Sequence, residues 1–72
     1  SYVDPFEIGK TFARAGMVDE ALHWLNRALE YGSPEIMYLA FRPDLDVLRD
    51  DPRFDDLLER VYGQRYPITA RP

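Results

Sequence analysis

Lys10 and Arg14 stand four residues apart, so on a helix they share one face a turn apart. Two cations in that arrangement can hold a carboxylate, from a peptide terminus or an acidic side chain. Phe6, on the apolar arc of the same segment, joins them as a candidate partner-binding residue. The ordinary reading is a solvated face on which Lys10 neutralises Glu7. Trp24, the only tryptophan, is either an interface anchor or core packing, and a helix with apolar neighbours on two sides favours the core.

Other chemistry finds little footing. Asp44, Asp46, Asp50, Asp51, Asp55 and Asp56 form an acidic stretch, but it lacks the glycine turn and the terminal glutamate of a calcium loop, and Asp51 reads better as a helix cap. His23 is the sole histidine and has no neighbouring second ligand, so it reads as a surface residue and no metal site is expected. Without cysteine there is no thiolate, disulfide or cysteine nucleophile. The hydroxyls of Ser1, Thr11, Ser33 and Thr69 sit in no nucleophile motif, and no glycine-rich phosphate loop is present. The carboxylates lie at helix starts and on wet faces instead of in an apolar stretch that would tune a pair for acid and base roles. No enzyme activity and no cofactor are expected.

The chain has 72 residues and a net charge of -4, with nine basic residues spread from Lys10 to Arg71 and never gathered into a block. That distribution argues against nucleic acid, which needs a concentrated basic face. No apolar run approaches the ~20 residues that span a bilayer. No membrane association is expected, and the default location is cytoplasmic. Beginning at Ser1 without a methionine, only a few residues ahead of a helix start, the chain reads as a piece of a longer protein.

The elements that must position these residues are helical. Asp4-Pro5-Phe6-Glu7 is a helix start, and the pattern predicts a helix over about 5–15, closed by Gly16. A second helix is predicted over about 19–31, starting near Asp19 and ending at Gly32. Gly9 and Ala21 let the two approach backbone to backbone, with Phe12, Leu25 and Ala28 interlocking beside them in an antiparallel pair. Ser33-Pro34 is a further cap opening a short helix over about 34–41, apolar nearly all round and halted by Pro43. Pro43, Leu45, Asp46 and Leu48 recur nine places later as Pro52, Phe54, Asp55 and Leu57. Only one turn fits in the first copy; the second, capped by Asp51, predicts a helix over about 52–62 closed by Gly63. The domain is therefore 1–63, all-α, with 64–72 an extended or mobile tail carrying Pro67 and Pro72.

Taken in order, Asp4-Pro5, Ala15-Gly16, Asp19 to Leu22, Trp24-Leu25, Ala28-Leu29, Ser33-Pro34 and Asp51 to Phe54 resemble the terminal tetratricopeptide-repeat (TPR)-like segment of bacterial signalling proteins. The likeness spans roughly Tyr2 to Tyr62. It implies one complete repeat, a shortened helix and a capping helix, with a ligand lying against the first helix. The expected function is a non-catalytic protein-protein interaction module, taking a protein or peptide partner or a second copy as a homodimer. The alternatives are a structural cap sealing the end of a longer repeat array and, against the acidic balance, a helix-turn-helix reader of DNA.

Overall fold

Four of the helical elements open on a proline at the first helical position, where its missing donor leaves no bond unmade and its fixed φ suits the helix. A computed structural model describes residues 3–65, with the side chains of 64 and 65 outside the description. In chain order it contains α1 (Pro5–Arg14), α2 (Val18–Tyr31), two 3₁₀ helices, η1 (Pro34–Phe41) and η2 (Pro43–Leu48), and α3 (Pro52–Arg65). No strand occurs among the described residues, and the fold is all-α.

Asp4 caps α1, accepting the Phe6 N–H at 2.8 Å. Its carboxylate also accepts from the hydroxyl of Ser33, 2.5 Å away, which ties the start of α1 to the end of α2. Ser33 is fully buried, and its side chain serves this contact instead of capping η1 as the sequence suggests. Met17 precedes α2 without a side-chain cap, and Asp19 lies within the first turn instead of ahead of it. Gly16 and Gly32 have φ of +76° and +89°, left-handed values that side chains with a Cβ rarely adopt. Both helix ends close alike, with Met17 N–H donating to the Phe12 carbonyl at 2.9 Å and Ser33 N–H to that of Ala28 at 3.0 Å.

The hairpin of α1 and α2 packs around Gly9. A Cβ built there would stand 2.9 Å from Cδ2 of Leu25 and 3.3 Å from the Ala21 carbonyl oxygen. Phe6, Ala13, Ala21, Leu22, Leu25 and Ala28 form this half of the core, continuous with Ile36, Leu39, Leu45, Leu48, Phe54, Leu57 and Val61.

The short helix expected over about 34–41 forms with those bounds and, like the turn after it, is of the 3₁₀ type. In a 3₁₀ helix side chains three apart eclipse. Ile36 and Leu39 therefore point together into the core, as do Leu45 and Leu48, while Tyr38 and Phe41 share an outer row. Tyr62 of α3 clamps this geometry: its hydroxyl donates to the Met37 carbonyl at 2.8 Å and accepts the Ala40 N–H at 3.1 Å. Arg49 adds a bond to the Ala40 carbonyl at 2.9 Å, with its guanidinium 5.8 Å from the Phe54 ring centre.

Asp51 starts α3 as expected, accepting the Arg53 N–H at 2.9 Å. The expected stop at Gly63 does not occur. That glycine has no positive φ, and α3 runs on to Arg65. Gln64 and Arg65 are good helix formers, and the next breaker is Pro67, which disfavours helix at the residue before it. Residues 64 and 65 of the expected tail are thus helical, and the rest of that tail lies outside the described residues.

Candidate partner-binding surface

The three residues singled out on α1 do not form an exposed face. Phe6 is fully buried, and Lys10 retains only 8% of its surface. The Phe6 ring is flanked by two cations, Lys10 Nζ at 5.7 Å and Arg42 Cζ at 5.8 Å from its centre. Lys10 lays its methylene stem along the core and brings its ammonium to Glu7, 3.1 Å away. Arg14 is exposed but points at Asp44, 30 residues on, at 3.2 Å. A pair of free cations for an acidic ligand is therefore not what α1 presents.

Several cations elsewhere are engaged in the same way, whereas Arg27 pairs with no carboxylate among the described residues. Asp44 also receives Arg42, Arg49 pairs with Asp46, and Arg53 bridges Asp51 and Asp19, each at 2.8 Å, linking the starts of α3 and α2. Arg60 donates to the Asn26 side chain. The Lys10 ammonium holds the Glu7 carboxyl below its usual range, and Arg42 does the same for Asp44. Asp51, beside the Arg53 guanidinium and backbone N–H, is lowered to about 2.

Carboxylates are left over. Asp55, Asp56 and Glu59, all exposed on α3, form no ion pair with any cation among the described residues. No group of three or more histidine or acidic side chains is placed to share a metal ion among those residues. His23 is exposed and sets its ring edge-on to Trp24, 5.3 Å between centres at 84°.

Two apolar grooves remain. The first, about 520 Å³, runs between the start of α1 and the second half of α2, lined by Val3, Pro5, Ile8, Trp24, Arg27, Glu30 and Tyr31. Trp24 is half-buried in its wall, not enclosed in the core as its apolar neighbours suggest. Tyr31 and Val3 stand open on its rim, 61% and 57% exposed. The second groove, about 570 Å³, is lined by Met37, Tyr38, Phe41 and Tyr62. Two of its rings are widely open, with Phe41 74% exposed and Tyr38 61%.

Neither groove brings together a nucleophile, a base and an orienting group. Both are lined mainly by apolar side chains, with Arg27 and Glu30 in the lining of the first. No described helix is long and apolar enough to cross a membrane. Comparisons of the chain with protein-family models, with curated proteins and with solved structures give no match.

Proposed function

We propose that this chain is a non-catalytic protein-interaction module of the TPR-like kind, a part of a larger bacterial signalling or regulatory protein. Its partner is a protein or peptide from outside this chain, seated against the groove of α1 and α2. The observation that carries the reading is Trp24, half-buried in the groove wall with Val3 and Tyr31 open on the rim. An aromatic anchor site surrounded by apolar side chains is where binding energy concentrates in protein interfaces. The antiparallel pair of α1 and α2 with its close approach at Gly9 also supports the TPR-like reading, because repeats of that kind stack helix on helix. Cations tied into ion pairs speak against nucleic acid.

One observation favours the terminal-cap reading beside it: the outward carboxylates Asp55, Asp56 and Glu59 give α3 the polar face that the end of a repeat array needs.

The absence of cysteine makes a site-specific crosslink simple. Tyr31→Cys and Asp56→Cys are each labelled with a benzophenone and irradiated in a lysate of the source organism. A protein captured from position 31 and not from position 56 fits the module. Capture only within the parent protein, from a neighbouring repeat, selects the cap. Equal capture at both positions refutes the α1 and α2 surface.

A further inference from the structure

The groove between η1 and α3 has unpaired carboxylates near it on α3, while Arg49, bonded to the Ala40 carbonyl at its wall, is already paired with Asp46. Phe41 and Tyr38 project from η1 as an eclipsed row, and Tyr62 forms the opposite wall. On α3 the residues three and seven before Tyr62 fall on its outer side, and these are Glu59 and Asp55. Both are exposed and unpaired with any cation among the described residues.

Area limits the occupant. Rings of this size bring about 150–250 Å² each to a contact. At 74% and 61% exposure, Phe41 and Tyr38 together offer about 200–340 Å². Two copies meeting through them would bury roughly 400–700 Å², well short of the ~1,200 Å² of a stable interface. A second copy would need further surface around these rings and would set its own Asp55 and Glu59 against this pair, whereas a short peptide with one apolar anchor fits.

We infer that the η1 and α3 groove binds a short cationic peptide of another protein, its aromatic or aliphatic anchor lying among Tyr38, Phe41 and Tyr62 and its lysine or arginine side chains meeting Asp55 and Glu59. The partner chemistry is opposite to that expected at Lys10 and Arg14, because the cations of α1 are spent inside the fold and the carboxylates of α3 are not. This surface is separate from the α1 and α2 groove, so either can fail without the other.

The test is a titration of the ¹⁵N-labelled chain with two probes, acetyl-KKLFKL-amide and acetyl-EELFEL-amide, followed amide by amide. The cationic probe is expected to shift Met37 to Phe41 and Glu59 to Tyr62, the acidic probe to shift neither, and added salt to weaken the effect. Phe41→Ser should abolish the shifts. Asp55→Asn with Glu59→Gln should weaken binding about fivefold, two exposed charge pairs being lost. These side chains are exposed, and an unchanged spectrum outside the groove shows that the variants fold. Equal binding of both probes, shifts at Val3, Ile8 and Trp24 instead, no shifts at all, or groove shifts that track protein concentration without peptide would each overturn the inference. The last outcome would assign the groove to a second copy.

Discussion

Replacing Gly9 by alanine sets two effects of known size against each other. Alanine in a helix interior is favoured over glycine by about 1 kcal/mol. Its Cβ, however, would stand 2.9 Å and 3.0 Å from Cδ2 and Cγ of Leu25, a side chain with no exposed surface into which to retreat, and 3.3 Å from a backbone oxygen of α2. Overfilling a packed interior of this kind costs about 1–3 kcal/mol. Taking the middle of that range, the net loss is about 1 kcal/mol, a fall in Tm of roughly 4–8 °C for a domain of this size. A cycle with Leu25→Ala isolates the cause. Leu25→Ala alone costs about 2–5 kcal/mol, so all four proteins are best unfolded by urea in a constant concentration of a stabilising osmolyte. With the leucine methyls gone, Gly9→Ala should become stabilising by up to about 1 kcal/mol, a coupling near 2 kcal/mol. If Gly9→Ala raises stability equally in both backgrounds, the helices do not meet there and the packing argument for the hairpin is wrong.

Three further outcomes follow from the same geometry. Gly32→Ala forces a Cβ into a φ of +89° and should lower stability by about 1–2 kcal/mol in urea denaturation, although nothing crowds the position. Tyr62→Phe removes the hydroxyl shared by Met37 and Ala40 and should cost about 1 kcal/mol, with faster amide exchange at Ala40 as its local signature. Asp51 is lowered from 3.8 to about 2 when folded, so between pH 4 and 2 the unfolded chain binds more protons than the folded one. Stability from this group is complete above about pH 4 and is lost as pH falls to 2, and Asp51→Asn should flatten that part of the pH profile of Tm.

The hairpin was legible because its signals are local or reciprocal. Proline and glycine mark the ends, and small residues at Gly9 and Ala21 announce a contact between helices adjacent in the chain. The region from Pro34 to Leu48 was legible in extent but not in kind. Spacings of three, as in Ile36 with Leu39 and Leu45 with Leu48, suit one turn of either helix type, and segments this short provide no later residue to decide between periods of 3.0 and 3.6. Reading η1 as apolar all round also hid the exposure of Tyr38 and Phe41. In the candidate site the Lys10 and Glu7 pair was legible from its spacing of three, but other cations are disposed of by residues remote in sequence. Arg14 meets Asp44 and Arg53 meets Asp19, 34 residues away. Lys10 lies over the Phe6 ring, whose other flank is taken by Arg42 from beyond α2. A charge can be counted from the sequence, but whether it is free depends on the finished fold.

The prolines that open α1, η1, η2 and α3 act before any of these contacts exist. Each narrows the backbone of the unfolded chain at the residue where an element will begin, which lessens the entropy surrendered on folding. α2 has no such advantage. It begins at Val18 after an uncapped Met17, marked by the left-handed Gly16 and by Asp19 and Glu20 in its first turn instead of by a proline. Four boundaries are thus narrowed by proline in the disordered polymer itself, while the fifth leans more on packing against α1. A helix of 14 residues with no proline at its start relies on its partner, and α1 and α2 are expected to order together.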